Sequence, residues 1–260
     1  MGAIDIIKSM HVRDLIVEGK REDGRGLMDF RKIKVETNLF ENAEGSAMVD
    51  LGGTRVLAGI KMDVETPMKD TKDMGNFMVA SELLPLAYSE YEAGPPNPES
   101  IELARVTDRG IRAGECINLK KLFIEEGKVW SVFADIYVLN YDGNLFDASA
   151  LAVMSALSTT KVPKYEDGKV VREDRSASLK LDNFTVSTTF AKINGRIAID
   201  PTGNEEGALS SRLTISNDGK VVRAVQKGIS GGWKEDEVYD AIGASLEKYK
   251  ELRSHIPKVR

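Results

Sequence analysis

Three arginines, Arg105, Arg109 and Arg112, are the side chains of this sequence best matched to a polyanion. At about 100° per residue on a helix, Arg109 falls about 40° and Arg112 about 340° from Arg105, so the three share one narrow stripe. Each guanidinium presents a planar fork of donors that fits phosphate oxygens, and three in line would follow successive phosphates of a single strand. Glu102, Asp108 and Glu115 cluster on one flank of the stripe. Pairing at i,i+3 or i,i+4 would instead make this a solvated, salt-bridged face. Periodicity leaves both readings open.

A second place for chemistry is the turn Asp142-Gly143-Asn144, which leads into an apolar segment. A helix start gathers free N–H groups and the positive end of the dipole, as an anion site requires. The side chains oppose that use: Asp142 and Asp147 are negative, while Leu145 and Phe146 are apolar. A phosphate would meet repulsion and no cationic donor there, and an aspartate N-cap is the simpler expectation. Asp200, Glu205 and Glu206, with Asp182 earlier, could work as general acids or hold Mg²⁺, although Asp200-Pro201-Thr202-Gly203 reads equally well as a strand end and turn. Gly228, Gly231 and Gly232 lack the Lys-Ser/Thr of a P-loop after them. His11 and His255 lie near opposite ends and the single Cys116 has no partner at ligand spacing, so no structural metal and no cofactor are expected.

The elements that must position these residues are legible from hydrophobic pattern. In 260 residues, 42% hydrophobic and 30% charged, no apolar run is long enough for a membrane helix and no export leader is visible, so the expectation is a cytoplasmic protein without membrane contact. The net charge of −5 repels nucleic acid as a whole, which demands a local patch or a partner's charge for any RNA contact. Ile4 to about Gly19 reads as a helix with Ile4, Ile7, Met10, Val12, Leu15 and Ile16 on its apolar face, and Arg21 to Arg25 as a turn. Ser46–Asp50 and Arg55–Met62 form a hairpin about Leu51-Gly52-Gly53. Ala93 to Pro98 is a rigid loop, after which Ser100 caps a helix running to about Ala113. Val129–Leu139 is a strand, and Ala148–Leu157 a helix apolar nearly all round, hence central. The charged stretch Lys161–Arg175 reads as a linker or exposed loop. Beyond it, Phe184–Ile193, Arg196–Ile199, Arg212–Ser216 and Val221–Gln226 are strands joined at Asn194-Gly195 and Asp218-Gly219, and Glu235–Arg253 is a closing helix. This gives an α+β chain: an N-terminal helix and turn over residues 1–25, then a domain over 26–260 with two pseudo-repeated halves, about 26–160 and 176–260.

In order along the chain, Arg21-Glu22-Asp23-Gly24-Arg25, Ala43-Glu44-Gly45-Ser46-Ala47, Leu51-Gly52-Gly53-Thr54, Glu82-Leu83-Leu84-Pro85-Leu86, Gly94-Pro95-Pro96, Ile101 to Arg105 and Asp142 to Ser149 resemble the RNase PH-like family. Within it, the likeness is greatest to the non-catalytic ring subunits of archaeal exosomes. Asp200-Pro201, Arg212 to Ile215 and Ala224 to Lys227 extend it towards the last helix. The resemblance implies an RNase PH-like fold with mixed sheets, packed helices and βαβ units in both halves. It also implies a heterodimer with a catalytic RNase PH-like subunit, three copies of which close a hexameric ring beneath RNA-binding cap subunits, and 3′-to-5′ phosphorolysis of single-stranded RNA. Catalytic relatives carry a hydroxyl residue and an arginine for the attacking phosphate where Leu145 and Phe146 stand, and an aspartate as general acid where Ser210 stands. No catalytic residue is therefore expected. Arg105 and Arg109, with Arg112 beside them, match positions that contact RNA. An autonomous phosphorolytic exoribonuclease is the competing expectation.

Overall fold

Helix α1 (Ala3–Val17) leads into β1 (Ile33–Thr37), β2 (Gly45–Leu51), β3 (Thr54–Glu65) and β4 (Asn76–Leu83). Next come α2 (Pro98–Ala113), a 3-10 turn (Leu119–Leu122), β5 (Phe123–Glu125), β6 (Lys128–Asn140) and α3 (Leu145–Thr159). The computed structural model describes residues 3–175 and 177–258. The first sheet has the order β1-β2-β3-β6-β4, antiparallel except where β4 runs parallel to β6, so the chain between them, carrying α2, is a crossover. The hairpin arm expected at Arg55–Met62 lies in β3, whose every second side chain from Thr54 to Met62 is buried.

The short strands β7 (Lys161–Val162), β8 (Lys164–Glu166), β9 (Lys169–Val171) and β10 (Ala177–Ser178) follow. The stretch expected to be a charged loop thus contains strands, because a buried carboxylate anchors it. Glu44, whose side chain is fully enclosed, holds Arg172 at 3.1 Å and Arg175 at 3.6 Å. The second half comprises β11 (Val186–Ile193), β12 (Arg196–Ile199), α4 (Gly203–Glu206), β13 (Ser211–Asn217), β14 (Val222–Gly228) and α5 (Glu235–Arg253). Its sheet, β12-β11-β13-β14, is antiparallel throughout. A βαβ crossover therefore occurs in the first half only. Asn194 and Gly195, both at positive φ, reverse the chain too tightly for a crossover.

Helix α3 is enclosed from Leu145 to Ser158 and packs against β2 and β3 on one side and β11 on the other. It is the shared core of both halves, as an all-round apolar helix must be. Helix α1 departs from expectation: Val12 and Ile16 are 1% exposed, but Ile7 and Met10 are 67% and 57% exposed. Its inward face is narrower than the sequence pattern. Cys116 is buried within 3.5 Å of the Thr185 hydroxyl, and burial pushes its thiol up to about 11.

Helix α2 also begins three residues earlier than the Ser100 cap implied. Pro98 occupies its first turn, where a missing N–H costs nothing, and Asn97 is the cap, accepting from Ser100 N at 2.8 Å. Replacing Asn97 by alanine should cost about 1 kcal/mol, measurable by urea denaturation. A loss well below that would return the capping role to Ser100.

Candidate nucleic-acid interface

Helix α2 buries Leu103, Val106, Thr107, Gly110 and Ile111. Gly110 permits this close seating, because a Cβ there would lie 2.8 Å from the Ser216 hydroxyl on β13. That orientation sends Arg105, Arg109 and Arg112 outward, all exposed, into a groove of ≈ 620 Å³ shared with Met68, Phe77 and Met78. The structure brings the three together but does not leave them equal. Arg112 is held by Asp108, with bonds of 2.8 and 3.1 Å, and donates to Phe77 O at 2.7 Å. Its charge is largely spent, as the salt-bridged reading supposed. Arg109 donates to the neutral Gln226 of β14 at 2.7 Å and keeps its charge. Among the described residues Arg105 makes no hydrogen bond or ion pair.

The donors at the start of α3 are taken by the chain's own groups. The cap is Asn144, in the left-handed region at φ 54°, accepting from Asp147 N at 3.5 Å. Asp142 is not the cap, since it turns towards Arg31 instead, 3.2 Å away. Gly143, at φ +79°, lies so close to Pro201, Thr202 and Gly203 that a Cβ would meet their backbone at 2.4 to 2.7 Å. The second half is thus pressed against the helix start. Its Glu206 carboxylate takes the amide of Asn144 at 2.8 Å and the Tyr141 hydroxyl at 2.5 Å. Burial raises the Glu206 pKa against the opposing pull of those two donors. An internal carboxylate stands where a bound anion would be received. Leu145 and Phe146 are buried at 5% and 7% exposure. One cation that sequence reasoning denied to this place is present: the Arg212 guanidinium lies 4.1 Å over the Phe146 ring, paired with Glu102 at 2.8 Å. Ser210 donates its hydroxyl to Lys192 O at 2.7 Å.

The candidate acids do not form a site. Asp182 pairs with Lys121 at 2.8 Å on another face. Glu205 accepts from Arg21 Nε at 2.8 Å, and that arginine also donates to Ile199 O and Asp200 O. Asp200, fully enclosed, receives Arg31 Nη2 at 2.8 Å, Arg31 Nε at 3.0 Å, the Arg31 amide at 2.8 Å, Arg25 at 2.9 Å and Asn144 Nδ2 at 2.7 Å. Burial works to raise its pKa, but the Arg31 hydrogen bonds and charge prevail and leave it lowered. Arg21 and Arg31 are themselves buried, and the sequence marked neither. This cluster joins the N-terminal segment and the two halves. Among the described residues no group of three or more His, Cys, Asp and Glu side chains is placed to hold a metal ion.

Residues 29–163 match the model of domain 1 of the 3′ exoribonuclease family, and residues 183–248 that of domain 2. The chain belongs to the 3′ exoribonuclease family. Among curated members of this family, the exosome complex component Rrp42 of Thermococcus gammatolerans is 48% identical over 248 residues, covering 93% of this chain and 91% of the relative. Rrp42 of Methanosarcina acetivorans is 46% identical over 253 residues, covering 96% and 93%. A chain from the Archaeoglobus fulgidus exosome with RNA bound to the active site superposes with a TM-score of 0.92 at 41% identity, over 98% of this chain and all of that one. Rice Rrp46, at 17% identity and a TM-score of 0.69 over 91% of this chain and 98% of that one, shares the fold of this 3′ exoribonuclease family member.

Proposed function

We propose that this chain is a non-catalytic ring subunit of an exosome, which holds single-stranded RNA and positions a catalytic paralogue for 3′-to-5′ phosphorolysis. Its relatives named as exosome components cover nearly its whole length. The observation that carries the non-catalytic part is the start of α3, where Glu206, Leu145 and Phe146 fill the ground a phosphate would need, with unneutralised Arg105 and Arg109 in a separate groove. In this reading the chain forms a heterodimer with the catalytic subunit, three heterodimers close the hexameric ring in the cytoplasm, and RNA-binding caps sit on it. The net charge of −5 fits a jointly built RNA path, in which one subunit need not attract RNA alone. An autonomous exoribonuclease would have to draw on Asp182, Asp200, Glu205 or Glu206, each already committed to an internal partner.

Purified alone and given RNA and inorganic phosphate, the chain should release no nucleoside diphosphate. Mixed with the catalytic paralogue, it should support turnover. Phosphate-dependent product from the isolated chain, abolished by changing one of those acids, would overturn the assignment.

A further inference from the structure

The groove that carries the three arginines continues beyond Arg112. A second, more enclosed cavity of ≈ 880 Å³ opens there, and the two share Met68, Phe77 and Arg112. Its charges can be balanced one by one. Asp182 is taken by Lys121 at 2.8 Å and Asn118 at 3.0 Å. Asp218 accepts from Arg223 at 2.7 Å and from the amides of Lys220 and Val221, each at 2.9 Å. Glu115 faces solvent with Arg223 4.0 Å away, and Arg112 is engaged by Asp108. The side chains of Lys120 and Lys220 are exposed on the cavity wall and, among the described residues, form no ion pair or hydrogen bond. Arg223 is already held by Asp218, so Glu115 offsets one of these lysines and the remaining charge is still positive; Met74 and Leu119 line the same cavity. The cavity beside the start of α3, ≈ 700 Å³, has the opposite balance: Glu90, Glu99, Asp142 and Glu206 line it against Lys8 and an Arg212 that already serves Glu102. A polyanion leaving the arginine groove is attracted by the first cavity and repelled by the second.

We propose that the RNA strand held at Arg105 and Arg109 passes Arg112 and enters this cavity, where Lys120 and Lys220 take its phosphates and one unstacked base rests on Met74 and Leu119. Single strands are held this way in general, with cations tracking the backbone and splayed bases covering apolar surface. The inference rests on the strand being gripped at the arginines.

The test uses the full chain assembled with its catalytic paralogue and a decanucleotide RNA. Lys120→Ala with Lys220→Ala should weaken binding on the order of tenfold and flatten the log–log salt dependence by about 1.4, that is about 0.7 for each lost phosphate contact. Lys169→Ala with Lys180→Ala, exposed lysines outside both cavities, should change neither. A 4-thiouridine probe should crosslink to the peptide containing Met74. If the Lys120 and Lys220 variant binds like the parent while Arg105→Ala with Arg109→Ala weakens binding, the RNA-gripping role stands and this extension falls. If neither pair matters, both fall.

Discussion

Asp200→Asn should destabilise the chain by about 3 to 5 kcal/mol, the cost of breaking a buried charge network from one side. The substitution preserves shape, so the loss measures charge and hydrogen bonding. Asp200 is fully enclosed, and Arg31 and Arg25 have only 6% and 12% of their side chains exposed. An asparagine presents an NH₂ to donors, leaving at least one guanidinium facing a like dipole in a space closed to water. Against a total stability of roughly 5 to 15 kcal/mol, that is a large fraction. In a chain of this size it should lower the melting temperature by on the order of 10 °C. Breaking the Arg55–Asp50 pair, whose arginine is 50% exposed, should cost at most about 1 kcal/mol. Equal losses at the two places, read by thermal or urea unfolding, would show that the Asp200 cluster does not bind the halves together.

The same cluster fixes the pH dependence. Asp200 is lowered in the folded chain, so its contribution is present above the unfolded carboxylate pKa of about 3.9 and is lost as pH falls through the folded value. Asp147 has the opposite sign. Burial, outweighing bonds from Asn144 and Thr189, pushes it up to about 7, so its contribution is present at acid pH and is lost as pH rises from about 3.9 to about 7. The two windows do not overlap, so the parent chain loses stability on both sides of about pH 4. In Asp200→Asn the acid limb should be gone, leaving only the decline from about pH 4 to about pH 7 that Asp147 causes.

Local patterns carried most of the fold. Helix α5 has the bounds Glu235 and Arg253 that its amphipathic period gave, and the turns at Asn194-Gly195 and Asp218-Gly219 join β11 to β12 and β13 to β14. The arginine stripe was legible for the same reason, since α2's period alone decides which residues share a face. What escaped was long-range. Arg31 meets Asp200 across 169 residues and Arg21 meets Glu205 across 184. Nothing near any of the four marks it for burial, since charged residues are rarely enclosed unless paired and the partner lies in the other half. In the sequence Glu206 looks like a candidate acid, because its role as acceptor for the Asn144 amide depends on how α4 docks against α3. Arg212 was invisible beside Phe146 for the same reason. The N-cap of α2 is Asn97 and not Ser100 because Pro98, which breaks a helix interior, is compatible with the first helical position.

Arg105→Ala with Arg109→Ala in the assembled ring should reduce affinity for single-stranded RNA by about a hundredfold at low salt. A hydrogen bond between charged groups is worth about 1.5 kcal/mol at the lower end, or about tenfold for each arginine. The salt dependence should flatten by about 1.4, because two phosphates keep their counterions. Stability should be unchanged, since both side chains are exposed and neither is in an ion pair among the described residues. Arg112→Ala should have a smaller effect on RNA, because Asp108 and Phe77 O already occupy that guanidinium and phosphate would have to displace them. Lysine at 105 and 109 should restore the salt slope and only part of the affinity, as a point charge keeps the Coulomb attraction but loses the paired donors. Fluorescence anisotropy across a salt series separates these outcomes. If all three single variants lost affinity equally, neutralisation by Asp108 would be irrelevant and the ranking within the stripe would be wrong. An unchanged slope in the double variant would remove RNA from this groove altogether.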